Sequence, residues 1–313
     1  MTPDSRIFVA GHRGMVGSAL VRQLQARGYR HLLLRTRAEL DLLDQSAVFG
    51  FLARERPAMI FIAAARVGGI QANNTLRADF LYENLQISAN LIQGAHQAGT
   101  QRLMYFASNC IYPRACPQPM AEEHLLTGPL EPTNEPYAIA KIAGLKLCES
   151  LQRQHGRDYI SVIPASLYGP NDNYDPANSH VLPALLRRAH EARERGDPEL
   201  VVWGSGTPRR EFLYVDDLAQ ACVMLAEQGY RGPPINIGSG SDLSIRELAE
   251  AVVSTVGYRG RLVFDASKPD GIPRKLLDSS RMLATGWQPT TGLTQGLRMA
   301  CDSAPWQRAL RAA

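Results

Sequence analysis

Three observations predict an α/β fold built on a doubly wound parallel sheet, followed by a smaller α+β region. At the N-terminus a short apolar strand runs directly into a glycine-spaced turn and a helix. Strand-like and helix-like segments then alternate with short connections to about residue 170. Beyond Gly169-Pro170 the pattern changes to a polar stretch and shorter, mixed elements.

Ile7-Phe8-Val9-Ala10 is wholly apolar, as expected of a strand covered on both faces. It leads into Gly11-His12-Arg13-Gly14-Met15-Val16-Gly17, a G-x-x-G-x-x-G spacing that opens a helix from Met15 to about Arg27. Glycines so placed permit a tight turn and let the backbone approach a pyrophosphate at a helix N-terminus. A plain glycine turn has the same spacing; the strand before and the helix after are what predict nucleotide binding. The second strand, His31-Leu32-Leu33-Leu34, ends at Arg35-Thr36-Arg37. A NAD site would place an acid near here for the ribose hydroxyls. Arg37, with Arg13 in the glycine turn, instead suits a 2′-phosphate, and Glu39 is the one nearby acid. The expected cofactor is therefore NADP, as NADPH.

Asp44 is placed to cap a helix running to about Arg56 and ended by Pro57. Met59-Ile60-Phe61-Ile62-Ala63 reads as a central strand. After Gly68-Gly69 a helix is expected from about Thr75 to Ala98, its broad apolar face suited to a core or to a dimer contact. Leu103-Met104-Tyr105-Phe106-Ala107 delivers Ser108-Asn109-Cys110 to a C-terminal strand end, where open α/β sheets bind ligands. Taken alone, Ser108 reads equally as a turn cap and Cys110 as a small buried hydrophobe.

Pro136-Tyr137-Ala138-Ile139-Ala140-Lys141 opens the next helix, with proline tolerated in its first turn. The i, i+4 spacing puts Tyr137 and Lys141 on one face. An ammonium near a phenol favours the phenolate. Moving a phenol from about 10 to about 7 takes roughly 4 kcal/mol. A buried Tyr and a surface Lys would satisfy the same spacing. A further strand, Tyr159–Ile163, ends at Pro164 and leads into Ser166-Leu167-Tyr168-Gly169-Pro170. Helices are expected at about His180 to Arg195, Leu218 to Gln228 and Ile245 to Val256. Strands are expected at 199–203, 235–238 and 262–264. This organisation divides into a Rossmann-type nucleotide-binding domain, 1–172 and about 208–240, and a substrate-binding domain, about 173–207 and 241–313.

Composition narrows the class. The 313 residues are 45% hydrophobic and 20% charged, an ordinary globular balance, and no apolar run is long enough for a membrane helix. Strand-like residues begin at Ile7, which predicts no secretory leader. Five scattered cysteines without a C-x-x-C predict neither a disulfide framework nor a metal site, and favour a reducing, cytoplasmic setting. A formal charge of +4 without a basic cluster suits an anionic small molecule rather than nucleic acid.

The glycine turn, Ser108, Tyr137 and Lys141 together resemble the extended short-chain dehydrogenase/reductase superfamily, which sets a Ser-Tyr-Lys triad on a Rossmann domain. Longer stretches resemble one family within it, the GDP-L-fucose synthases. These are Gly11–Ala19, Val67-Gly68-Gly69-Ile70 with Ala72-Asn73-Asn74, Glu131–Lys141, and Trp203-Gly204-Ser205-Gly206-Thr207-Pro208. The similarity spans about residues 6 to 290. It implies epimerisation of GDP-4-keto-6-deoxy-D-mannose at carbons 3 and 5, then reduction of its 4-keto group by NADPH, in a homodimer. It assigns Cys110 and His180 to the epimerisation, and Ser108 and Tyr137 to the carbonyl oxygen. Lys141 goes to the phenol and the nicotinamide ribose. Cofactor contacts carry over to the glycine turn, Arg37, Asp41, Leu42, Pro164, Leu167 and His180. Nucleotide-sugar contacts carry over to Arg188, Trp203, Arg210 and Asp270. Two positions depart from the family pattern: Asn109, where Ser is usual, and Ser166, where Asn is usual. Other readings on the same fold are a related GDP-4-keto sugar (a colitose or heptose precursor), reduction alone, a 4-epimerase or dehydratase, and a non-catalytic NADP sensor. A sensor would be expected to lose Tyr137 or Lys141.

Overall fold

The computed structural model describes residues 1–176, 178–268 and 270–306. Its first half alternates as β1 (Ile7–Ala10), α1 (Met15–Ala26), β2 (Leu32–Leu33), α2 (Gln45–Glu55), β3 (Met59–Ile62), α3 (Ile70–Thr75), α4 (Arg77–Gln97), β4 (Arg102–Phe106), α5 (Glu135–His155) and β5 (Asp158–Pro164). There follow β6 (Ser166–Tyr168), α6 (Val181–Arg195), β7 (Glu199–Trp203), β8 (Arg209–Tyr214), α7 (Val215–Gln228) and β9 (Ile235–Ile237). The last elements are β10 (Asp242–Ser244), α8 (Ile245–Val256), β11 (Arg261–Asp265), β12 (Arg274–Lys275), α9 (Ser280–Leu283) and α10 (Leu293–Ser303).

Six parallel strands form the main sheet in the order β2-β1-β3-β4-β5-β9. Every residue of β1 and β3 is buried, as their unbroken apolar runs require of strands covered on both faces. The strand order reverses at β1, which has β2 on one side and β3 on the other. In such sheets the ligand crevice lies beyond the C-terminal strand ends at that reversal.

The helices end where local chemistry stops them. Asp44 accepts a hydrogen bond from the Ala47 amide at 3.0 Å and caps α2, while Arg56 turns left-handed (φ 42°) just before Pro57. Three expectations are corrected. The strand read at 31–34 is only two residues long, a half-buried sheet edge. The helix expected from Thr75 starts earlier and is broken at Leu76 (φ −105°, ψ 43°) into α3 and α4. α7 begins at Val215 rather than Leu218, with Asp216 and Asp217 in its first turn, where carboxylates complement the helix dipole.

The described residues form two apolar cores. The larger joins the main sheet to its helices and also takes Leu277, Met282 and Trp287 from the C-terminal stretch. The smaller gathers Leu182, Leu186, Val202, Leu248, Val252 and Leu297 under α6, α8 and α10. Strand β8 lies between them: Leu213 belongs to the first core, Phe212 and Tyr214 to the second, as the two-residue period of a strand dictates. β8 is flanked by β10 and β12 and also pairs with β6, while β7 pairs with β11. No helix among the described residues is long and apolar enough to cross a membrane.

Candidate active site

The glycine turn sits at the sheet reversal. Gly11 has φ +83°, and a Cβ there would lie 2.7 Å from the Ala64 amide nitrogen at the end of β3. A Cβ on Gly17 would lie 2.1 Å from the Gly11 carbonyl oxygen, so α1 crosses the turn at closest approach. Gly14 caps α1 without a side-chain bond, and a Cβ there would meet only the Gly11 oxygen, at 3.5 Å. Helix N–H groups are therefore left facing the crevice. Met15 and Val16 pack their side chains against the larger core. The Nδ1 atom of His12 is buried with no hydrogen-bond partner among the described residues.

Arg13 and Arg37 are both exposed, and neither forms an ion pair among the described residues. Glu39, the acid that would argue for NAD, is held by the Thr36 amide (2.7 Å) and hydroxyl (2.8 Å), bonds that lower its pKa. Asp41 accepts from the Leu43 amide at 3.1 Å, and the Leu42 carbonyl is fixed by the Asn90 side chain at 2.9 Å. Pro164 ends β5 opposite Ile237, and Leu167 pairs with Leu213. A narrow glycine cradle, free helix N–H groups and two unpaired guanidiniums fit a phosphorylated dinucleotide.

A reactive cluster stands at the end of β4. The Ser108 side chain accepts from the Cys110 amide at 3.4 Å and caps a single tight turn, Asn109–Ile111. Cys110 is 7% exposed. Tyr137 enters from the first turn of α5, half-buried, with its ring edge-on to Phe80 at 6.4 Å. Lys141, one turn on, is buried and donates to the Phe106 carbonyl at 2.9 Å. Its Nζ is 5.7 Å from the Tyr137 ring and 5.0 Å from the Tyr105 ring.

The electrostatics correct one expectation. Burial lowers Lys141 to about 8, with the Cys110 charge acting in the other direction. Burial also pushes the Tyr137 phenol well above its ordinary value, and Cys110 and Tyr105 add to the rise. Desolvation therefore sets the direction for the phenol in this state, and the Lys141 ammonium gives its hydrogen bond to Phe106 instead. Cys110 is likewise raised by burial, opposed in turn by Lys275, the Ser108 hydrogen bond and Lys141.

His180 is the N-cap residue of α6, and its side chain makes no cap bond. The residue is exposed at the surface, yet desolvation by the protein around it lowers its pKa. The Gly69 amide donates to the Asn178 carbonyl at 3.0 Å, and a Cβ on Gly69 would lie 2.9 Å from the Ser179 carbonyl oxygen. The Val67–Gly69 stretch thus packs on the residues leading into His180. Among the described residues no hydrogen bond joins His180 to Cys110 or Tyr137.

The residues carried over to a nucleotide sugar fall on the smaller core and its edge. Arg188 of α6 donates to the Val201 carbonyl at 2.5 Å, and burial lowers its pKa. Trp203 ends β7 with 64% of its surface exposed, and the Lys268 ammonium stands 5.6 Å from its ring centre. Asp270 accepts from the Ser205 amide (2.7 Å) and hydroxyl (2.8 Å), so its carboxylate clamps the loop after Trp203. Arg210 on β8 is half-buried, with its pKa lowered by burial. Sequence reading missed Lys275, which β12 places opposite Arg210, and Glu211, a buried carboxylate accepting from the amides of Gly240 and Leu277. The available signals were weak: a lysine immediately before the apolar pair Leu276-Leu277, and an acid between Arg210 and the apolar run Phe212-Leu213-Tyr214.

Residues 7–238 match the NAD dependent epimerase/dehydratase family. The GDP-L-fucose synthase of Escherichia coli (strain K12) is 58% identical over 93% of this chain and 94% of its own length. GDP-L-fucose synthase 1 of Arabidopsis thaliana is 55% identical over 96% and 93%. A solved structure with NADP bound, the GDP-mannoheptose C4 reductase MlghC of Campylobacter jejuni, superposes with a TM-score of 0.90 at 37% identity, covering 97% of this chain and 99% of that one. The chain belongs to the NAD dependent epimerase/dehydratase family and, within it, to the GDP-L-fucose synthases.

Proposed function

We propose that this protein converts GDP-4-keto-6-deoxy-D-mannose to GDP-L-fucose, epimerising carbons 3 and 5 and then reducing the 4-keto group with NADPH. The observation that carries the reading is the gathering of Ser108, Cys110, Tyr137 and Lys141 at the end of β4, on the same sheet edge as the nucleotide turn after β1, in a chain so similar to GDP-L-fucose synthases. The glycine turn would hold the pyrophosphate, Arg13 and Arg37 the 2′-phosphate, and Asp41 and Leu42 would lie by the adenine. Lys141 would bind the nicotinamide ribose, with Pro164, Leu167 and His180 along the same edge. Arg188 and Arg210 suit a diphosphate, Trp203 an apolar wall for the nucleotide, and Asp270 keeps its loop in place.

Carbons 3 and 5 both flank the ketone, so each C–H is acidified, and each inversion needs a base, an acid and a donor at the enolate oxygen. Cys110 and His180 are the proton-transfer pair, and Ser108 and Tyr137 donate to the oxygen. The raised pKa of Tyr137 keeps the phenol protonated until the oxygen needs its proton. NADPH, when bound, supplies the hydride for carbon 4. Tyr137 then releases its proton to the same oxygen, and Lys141, held at about 8, lends charge to the phenolate left behind.

On this reading residues 1–172 and about 208–240 form the cofactor domain and the remainder the sugar-nucleotide domain. α4 and α5 pack side by side and expose Tyr82 and Ile139, which supports a homodimer formed through these helices; mass measurement in solution tests it. All five cysteines are free, as suits work in the cytoplasm. Incubation with NADPH and GDP-4-keto-6-deoxy-D-mannose tests the whole reading: NADPH absorbance should fall and GDP-L-fucose appear. A GDP-6-deoxy sugar with the original configuration at carbons 3 and 5 would instead support reduction alone.

A further inference from the structure

Between β3 and α3 the chain is irregular, and two buried asparagines hold its backbone. Asn84 of α4 accepts from the Arg66 amide at 2.9 Å and donates to the Arg66 carbonyl at 3.1 Å. Asn73 of α3 gives its side-chain N–H groups to the carbonyls of Gly68 (2.7 Å) and Gly69 (3.1 Å). Its Oδ1 atom is buried with no hydrogen-bond partner among the described residues. A bare buried oxygen costs stability, and what the residue supplies in return is the position of two glycines. Both glycines lie against the site. A Cβ on Gly68 would lie 3.1 Å from the Phe80 ring, which meets the Tyr137 ring edge-on. Gly69 donates to the Asn178 carbonyl at 3.0 Å, and a Cβ on it would lie 2.9 Å from the Ser179 carbonyl oxygen. The amides of Asn178 and Ser179 in turn donate to the Asp175 carbonyl at 3.3 and 2.9 Å, and His180 follows directly.

We infer that Asn73 is a positioning residue for His180: by holding both glycine carbonyls it fixes Gly68-Gly69 against the Asn178-Ser179 backbone, and so sets where the imidazole stands. The inference rests on the proposed role of His180 in proton transfer at the sugar. Among the described residues the His180 side chain makes no hydrogen bond or ion pair of its own, so its place is set by the backbone on either side. On one side the His180 carbonyl accepts from the Ala184 amide at 3.0 Å and ties the residue to α6. On the other stands the contact with Gly69. A proton-transfer group must lie within hydrogen-bond reach of its carbon, and a displacement of about 1 Å can cost about 100-fold in rate. Only an amide suits the clamp. Its two donors reach two successive carbonyls, whereas a carboxylate of the same shape would turn acceptors toward both oxygens. Cys110 and Lys141 are held elsewhere, through Ser108 and the Phe106 carbonyl, so loosening this clamp acts on His180 ahead of them.

The test compares the wild type with Asn73→Asp and Gly69→Ala. Gly69 has φ −66°, which alanine adopts freely, so the added methyl acts by pressing on the Ser179 oxygen. Deuterium exchange into GDP-4-keto-6-deoxy-D-mannose is followed with NADP in place of NADPH, so that no hydride is delivered. The Cε1 proton of His180, assigned by comparison with His180→Gln, is followed by NMR. Both variants should exchange about 10- to 100-fold more slowly, with KM for the sugar nucleotide near the wild-type value. The His180 resonance should move in both. Thermal melting establishes that each variant is folded at the assay temperature, and Asn73→Ala, which removes the donors without adding charge, replaces Asn73→Asp should that variant not fold. Folded Asn73 variants that exchange at the wild-type rate overturn the inference, even where they melt lower. Slowed exchange with an unmoved His180 resonance also overturns it. Wild-type protein that exchanges no deuterium would overturn the proposed function, while the His180 resonance would still judge the clamp.

Discussion

A methyl group at Gly17 would stand 2.1 Å from the Gly11 carbonyl oxygen, 2.6 Å from its carbonyl carbon and 2.8 Å from the His12 Cα. Non-bonded heavy atoms want about 3.5 Å, so the turn and α1 would have to separate by more than about 1 Å. All three opposing atoms are backbone, so no side-chain rotation relieves them. Helix propensity acts the other way: glycine to alanine inside a helix gains about 1 kcal/mol. Overpacking against fixed atoms costs about 1–3 kcal/mol or more, so the steric term wins. The Gly11 oxygen also accepts from the Gly14 amide at 3.0 Å, and pushing it aside opens the pyrophosphate turn. Gly17→Ala should therefore melt lower by roughly 2–6 °C in a thermal scan. It should also bind NADPH at least about tenfold more weakly by fluorescence titration, a loss of about 1.4 kcal/mol. Gly14→Ala is the contrast: its methyl would meet only ordinary contact at 3.5 Å and its φ is −75°, so it should melt like the wild type. NADPH binding should still weaken, because the methyl intrudes where the backbone meets phosphate. Gly17→Ala with wild-type melting and affinity would refute the packing reasoning.

Three other outcomes are expected. Arg37→Ala should weaken NADPH much more than NADH in equilibrium titrations, since only NADPH carries the 2′-phosphate; equal losses would count against that contact. Tyr137→Phe should keep NADPH affinity but lower turnover by about 10²–10⁴, and a mutant with near-normal turnover would remove Tyr137 as the proton donor. Burial alone would raise Asp242, but Arg274 and Arg209 hold it below the usual carboxylate value. Its stabilisation should be complete above about pH 4 and lost as pH falls through the lowered native value. Asp242→Asn should cost about 1 kcal/mol in urea melts at pH 7 and show a smaller further loss in acid than the wild type.

Much of the fold was legible because its signals are local. β1, the glycine turn and α1 follow one another within about twenty residues, and α8 spans the apolar repeat from Ile245 to Val256. The same holds for the placement of Ser108 and Cys110 at a strand end, and of Tyr137 and Lys141 on one helix face. What was not legible depends on distant parts of the chain. The pairing of β12 with β8 joins residues more than sixty positions apart, and only that pairing sets Lys275 beside Arg210. The direction of the Tyr137 shift was missed for a related reason. Spacing reveals a neighbouring ammonium, but not the burial that raises the phenol, nor the Cys110 and Tyr105 charges from another part of the chain that add to the rise. Asp270 is assigned to the nucleotide sugar by resemblance alone, and its hydrogen bonds to Ser205, sixty-five positions away, cannot be read from sequence.

The most direct measurement is the position of deuterium in the product formed from GDP-4-keto-6-deoxy-D-mannose and NADPH in deuterated water. Proton exchange by Cys110 and His180 at both carbons flanking the ketone predicts deuterium at carbons 3 and 5 of GDP-L-fucose, with protium from the cofactor at carbon 4. A reduced product carrying protium at carbons 3 and 5 would contradict it.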